Sequence, residues 1–377
     1  MPKYAEFTVG LVIFLFLFFA IFLFTYQKGR RLSKNLLGFF FLALGLAVAD
    51  VAMQVNNTYQ QVPQVAFIFN TLPLLYGPLL WLLTKSATAS DYTLKKVDYL
   101  HFLPYGLALF TFVLVYHLRP LEYKRTFLER ASSGQEMSQI VSSFLVFAMI
   151  GLYVFWSYRR IQKYRHQLKE QVSNIEKMNL SWLQHTLFGF TAIIFFSAIL
   201  QILSYALGTD THWLNGILLL LLFGLLFFIM SSIAKGLKSD VIFPNFLGQT
   251  NSKPSLQKVI KPIDSIELRR LRTYMTTERP YLNPAINLKE LADQVNLTPR
   301  DLSTLINKGT QQSFFDFINS YRIQFAQDKI RQSTDEKLTI LEVMYAAGFN
   351  SKSSFNTAFK KHTNLTPTQW KKVHKRN

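Results

Sequence analysis

The chain has 377 residues, a formal charge of +19, a half share of hydrophobic residues and no cysteine. That composition excludes disulfides, Cys-ligated zinc, iron–sulfur clusters and thiol nucleophiles, and the length leaves room for two or three domains. Residues 1–237 hold 19 Lys+Arg against 10 Asp+Glu, and residues 238–377 hold 22 against 12, a balance that suits lipid head groups in the first part and nucleic acid in the second.

Stretches of about 20 apolar residues, the length that crosses a ~30 Å hydrocarbon core, recur along the first part of the chain. Seven are expected, near 7–26, 36–55, 65–84, 99–117, 140–158, 183–206 and 214–234. Pro73, Pro78 and Pro104 fall in the third and fourth and predict kinks there. The first stretch is too long for a signal peptide, lacks a small-x-small cleavage pattern and is followed, not preceded, by Lys28, Arg30, Arg31 and Lys34, so it is expected to be retained. Loops one, three and five carry 13 Lys+Arg against 4 in loops two, four and six. By the positive-inside rule the N-terminus lies outside, and an odd number of spans delivers the chain into the cytoplasm near Lys235. The expected location is a cell inner membrane, crossed several times, in a host without a nuclear envelope.

Asp50 is the acidic residue deep inside an expected span, and Gln54, Asn70 and His101 are polar positions in or near others. An intramembrane carboxylate marks a candidate sensing site, with a helix–helix hydrogen bond as the alternative. The fifth loop, "RRIQKYRHQLKEQVSNIEKMNLSW", has apolar residues at 161, 164, 168, 175, 178 and 182, near a heptad spacing. It can extend the fifth span and meet the C-terminal part or a second protomer, or lie as an amphipathic helix on head groups or on its own bundle. No metalloprotease, Walker or nucleophile-elbow motif occurs, and the 7 His are dispersed; no enzyme activity, metal or cofactor is expected.

Residues 238–264 mix Gly, Pro, Ser and Asn without a sustained period and read as a linker. Helical periodicity returns at 265. "NLKELADQV" starts with an N-cap at Asn287 and Glu290 three residues on, and Asn296 suits a left-handed stop. "TPRDLSTLIN" restarts a helix with Thr298 as N-cap and Pro299 at its first position. A second copy follows, with Thr339 and Glu342 as capping box, Gly348 as the turn, and Phe355 and Phe359 facing inward like Leu302 and Ile306. One extra residue, Asn350, separates the two patterns. Between the copies "SFFDFINSYRIQFAQDKIRQS" predicts one long helix.

These residues, and above all "AAGFNSKSSFNTAFKKHTNLTP", resemble the AraC-type DNA-binding domain. Asn364, Met344 and Gln311 depart from the family's usual small residues, and Trp370 with Lys371 replaces its usual aromatic–Arg pair. The expected fold is all-α: a seven-helix transmembrane bundle (1–237), a linker (238–264) and an AraC-type domain of two helix-turn-helix units joined by a long helix (265–377). The resemblance implies double-stranded DNA as partner, with Arg300, Ser303 and Thr304 reading bases from the first unit and Lys352, Ser353, Asn356 and Thr357 from the second. Lys308, Lys360, Lys361, Lys371 and Lys372 are the expected phosphate contacts. The layout resembles membrane-anchored AraC-type regulators of bacteria and implies a one-component transcription regulator, able to act as a monomer or homodimer, in contact with membrane lipids. The alternatives are a transporter with an appended regulatory domain and a passive membrane anchor for DNA.

Overall fold

The computed structural model describes residues 3–27, 30–89, 91–133, 137–175, 180–207, 265–333 and 337–374, with single positions at 178, 224, 227, 228 and 231. Among the described residues every named element is helical, as the all-α expectation required, and the extended pairing is an isolated antiparallel bridge between Val172 and Asn287. The chain divides into two compact units: Met1–Gln162 with Leu180–Gln249, and Lys163–Asn179 with Thr250–Asn377.

The first unit begins with α1 (Lys3–Thr25) and α2 (Arg31–Val55), helices rich in Phe, Leu and Ala and without proline. A short α3 (Thr58–Gln61), α4 (Pro73–Thr88), α5 (Leu103–Phe112), α6 (Leu121–Ser133), the start of α7 (Met137–Lys169) and α8 (Ser181–Leu207) follow. Pro73 and Pro104 stand in first turns, where a missing N–H costs nothing, and Pro78 lies inside α4. Pro73 therefore starts a helix instead of kinking one, and Pro104 lies where the 3-10 turns of Lys96–Phe102 give way to α5.

Among the described residues five helical stretches are long and apolar enough to cross a membrane: Glu6–Thr25, Arg31–Val55, Lys96–His117, Val141–Lys169 and Ser181–Leu200. The third expected span starts later than expected: turns occupy the residues before Pro73, and the 16-residue α4 takes up the stretch from there and runs on to Thr88. The seventh expected span lies almost wholly outside the described residues, as does the 238–264 linker.

Aromatic rings fill the centre of this unit. Phe40 lies 5.1 Å from Phe190 and 6.0 Å from Tyr76, each edge to face. Tyr153 leans on Gly77 so closely that a Cβ there would stand 2.5 Å from its ring, the small-residue contact by which membrane helices approach. The opposite faces are also apolar: Phe7, Phe14, Phe18 and Ile21 of α1 are exposed, Phe7 at 73%. Such a surface has no favourable contact in water.

The second unit holds α9 (Ser265–Thr277), α10 (Leu288–Gln294), α11 (Pro299–Thr310), α12 (Phe314–Gln332), α13 (Ile340–Ala346), α14 (Lys352–Thr363) and α15 (Pro367–His374). Two apolar clusters share α12 between them. Its first half gives Phe314, Phe317 and Ile318 to a core with Leu302 and Ile306, and its second half gives Ile323, Ala326 and Ile330 to a core with Phe355 and Phe359.

Candidate nucleic-acid interface

The two helix pairs of the second unit are copies in length: 7 and 12 residues for α10 and α11, and 7 and 12 for α13 and α14. Residues 295–298 join the first pair and residues 347–351 the second, so the extra Asn350 is absorbed in the turn. Each turn closes alike. Leu297 N–H donates to Ala292 O at 2.9 Å across Asn296 (φ 57°), and Phe349 N–H donates to Met344 O at 3.1 Å across Gly348 (φ 79°). Met344 thus takes the place of Ala292, and it is fully buried in the second core.

Side-chain caps aim the helices. Thr298 Oγ1 accepts from Asp301 N–H at 3.1 Å to start α11, and Ser351 Oγ accepts from Ser354 N–H at 3.4 Å to start α14. Asn287 accepts from Glu290 N–H at 3.0 Å, and Thr339 and Glu342 complete a reciprocal capping box. The Thr339 backbone and hydroxyl bonds hold the Glu342 carboxyl below its ordinary range. Phe355 and Phe359 pin α14 from beneath at a 5.5 Å ring separation.

On α11, Arg300 and Thr304 are exposed and Ser303 is half-buried; the Thr304 hydroxyl donates to Arg300 O at 2.9 Å. On α14, Lys352, Ser353 and Thr357 are exposed and Asn356 is half-buried. Each helix therefore presents its expected base-contact residues away from its buried side. Lys308, Lys360 and Lys372 are exposed. Lys361 is committed elsewhere: its Nζ lies 2.6 Å from Asp316 Oδ1, tying α14 to the start of α12. Lys371 is half-buried and donates to the Leu338 carbonyl.

Residues 291–372 match a family model described as a helix-turn-helix domain. They form an AraC-type helix-turn-helix domain. The C-terminal domain of AraT, a response regulator from Geobacillus stearothermophilus, is similar to this chain at 24% identity over 30% of it and 88% of that domain, with a TM-score of 0.26. A comparison with curated proteins gave no match.

Arg322, which the sequence reading passed over, sits at the middle of the AraC-type domain. It is 1% exposed, between the two cores, and donates to Tyr281 O at 2.7 Å, Asn283 O at 2.9 Å and Ser173 Oγ at 3.2 Å. Its guanidinium faces the Phe349 ring at 5.5 Å. Burial lowers its pKa to about 10 by desolvating the cation, and it remains charged at neutral pH. An arginine beside the apolar stripe of a long helix was the available signal.

The polar candidates of the first unit differ in burial and partners. Asp50 is buried and its Oδ1 accepts from Phe69 N–H at 3.3 Å, while Gln54 and Asn70 are exposed. His101 Nδ1 pairs with Tyr153 Oη at 2.9 Å. Among the described residues no cluster of His, Cys, Asp and Glu suits a metal ion.

Proposed function

We propose that this chain is a membrane-embedded transcription regulator that binds promoter DNA under the control of its first unit. The carrying observation is a juxtaposition in one chain: an AraC-type helix-turn-helix domain after helices whose outward faces are Phe, Leu and Ile. A helix-turn-helix domain implies DNA binding, and outward apolar faces on helices of spanning length suit lipid.

In this reading α11 and α14 enter successive major-groove segments about one turn, ~34 Å, apart. Arg300, Ser303 and Thr304 meet bases from the first helix, and Lys352, Ser353, Asn356 and Thr357 from the second. Lys308, Lys360 and Lys372 neutralise phosphates, which supplies affinity without sequence information. Lys361 and Lys371 instead hold the domain together, through Asp316 and Leu338. The polarity of loop charges supports an outside N-terminus and a cytoplasmic DNA-binding domain. Asp50, anchored to the Phe69 backbone, is the candidate through which the first unit responds to a signal.

Chromatin immunoprecipitation of the intact chain tests DNA binding, and discrete promoter sites are the expected result. Reporter fusions at residues 160 and 237 test the topology, and both are expected to report the cytoplasm. Absence of enriched sites, or an external location of either fusion, overturns the reading.

A further inference from the structure

The second unit includes a piece of chain far from the rest of it in sequence, residues 163–179, which contains the last turns of α7 and the segment after it. Four consecutive residues of that segment are bound to the AraC-type domain. Glu170 Oε2 accepts from Asn307 Nδ2 at 2.9 Å, and Gln171 O accepts from Leu288 N–H at 2.9 Å. Val172 pairs with Asn287 in the antiparallel bridge. Ser173, itself 2% exposed, donates to Ile286 O at 2.6 Å, and its oxygens accept from Arg322 at 3.2 and 3.4 Å.

These contacts fill needs the domain would otherwise leave open. The Leu288 N–H belongs to the first turn of α10, where no intrahelical acceptor exists. Arg322 has five donors in a fixed fork, and Ser173 supplies two of the acceptors around it. The segment is therefore a fitted occupant of the domain.

Glu170 does something different from its three neighbours. Asn307 follows Ser303 by four residues and Arg300 by seven, so it extends the same face of α11, and its Nδ2 also lies 3.4 Å from Ser303 Oγ. The bond from Asn307 thus holds a carboxylate against the face that is to meet DNA. Phosphates repel a carboxylate in that place.

We propose that residues 170–173 are a clasp that closes the first reading helix to DNA while it is seated, and that its release through α7 is how the membrane unit controls the domain. The proposal rests on the regulator reading above and names the moving part. Seated, the clasp stabilises the domain and masks Ser303 and Asn307. Released, it removes the carboxylate from α11, and the groups it leaves at Leu288 and Arg322 turn to water.

The absence of native cysteine makes a direct test possible. Val172 and Asn287 form the narrow, non-hydrogen-bonded type of antiparallel pair, with Cα atoms expected about 4.5 Å apart, within reach of a disulfide. Full-length wild type in lipid nanodiscs first selects duplexes from a random DNA pool. The double variant V172C/N287C, oxidised, is expected to bind the selected DNA about tenfold more weakly than after reduction. Separately, Glu170→Gln, which keeps size and hydrogen bonding but removes the charge, is expected to tighten binding about threefold. Equal affinity of the oxidised and reduced forms overturns the clasp and leaves the regulator reading standing. Should the cysteine pair fail to fold, an unchanged affinity of E170Q overturns it alone. Failure of wild type and E170Q alike to select any sequence overturns the regulator reading itself.

Discussion

Gly348 approaches the carbonyl oxygen of Tyr281 so closely that a Cβ at Gly348 would stand 2.7 Å from it. The same oxygen accepts from Arg322 Nε at 2.7 Å, so the turn of the second helix pair, the segment before α10 and the middle of α12 meet at one atom. Gly348 also has φ 79°, which costs an L-residue roughly 1–2 kcal/mol before any clash. Gly348→Ala is expected to destabilise the domain by about 3 kcal/mol in total. Hydrogen exchange of the full chain should show the loss first in residues 340–363, and unchanged protection there would contradict this role.

Gln311 occupies the equivalent kind of position without a glycine's freedom. It closes α11 at φ 58° and makes a marginal 3.5 Å bond to Lys308 O. Gln311→Gly is expected to stabilise the domain by about 0.5–1 kcal/mol, the strain relieved less the added entropy of the unfolded chain. A rise in the unfolding midpoint of the second unit checks it.

Arg322 is satisfied by carbonyl, side-chain amide and hydroxyl acceptors. Arg322→Lys keeps the charge but offers a point donor where a planar fork is used, and should cost about 2–3 kcal/mol. Arg322→Met removes the buried charge yet orphans the Tyr281 carbonyl and takes one of two donors from the Asn283 carbonyl, so it is expected to be no better tolerated. Thermal unfolding of both variants measures the difference, and a Met variant as stable as the native protein would show the bond to the Tyr281 carbonyl to be dispensable.

What was legible in the sequence was what a few neighbouring residues decide. Thr298 and Thr339 cap, Asn296 and Gly348 stop, and Asn350 lengthens a turn, all through groups within five residues of one another. The contacts that complete the domain had no such signal. Arg322 meets Ser173 across 149 residues, and Lys361 meets Asp316 across 45. The third stretch shows another limit: its apolar count was sufficient, but turns before Pro73 interrupt the helical hydrogen-bond ladder there, so its helix starts at Pro73 and not near 65.

The Asp316–Lys361 tie makes stability sensitive to acid. Burial raises the Asp316 carboxyl, but bonds from Lys361 and Ser313 and the nearby Lys361 charge outweigh it and leave it below its ordinary value. A carboxyl with a lowered folded-state pKa contributes fully above the ordinary range near ~4 and loses that contribution as pH falls through the lowered value. The native protein should therefore lose stability more steeply than Asp316→Asn as pH falls below about 4. Unfolding midpoints measured across that window decide it, and parallel curves would remove Asp316 as a cause.

Adjacent lysines 360 and 361 should separate affinity from architecture. Lys360 is exposed, whereas Lys361 is bonded to Asp316 at 2.6 Å. A lysine that releases counterions on binding contributes about 0.9 to the slope of log affinity against log salt. Lys360→Ala is expected to lower that slope by about this amount and to weaken all sequences equally. Lys361→Ala should leave the slope nearly unchanged and act through the placement of α14. Asn356→Ala should leave the slope unchanged too, but cost about 1–3 kcal/mol at one base position. Titrations of the three variants at several salt concentrations, on a selected duplex and on single-base changes of it, distinguish these effects. Equal slope losses for Lys360 and Lys361 would mean that the Asp316 tie opens when DNA binds, and that α14 is held by its Phe355 and Phe359 packing alone.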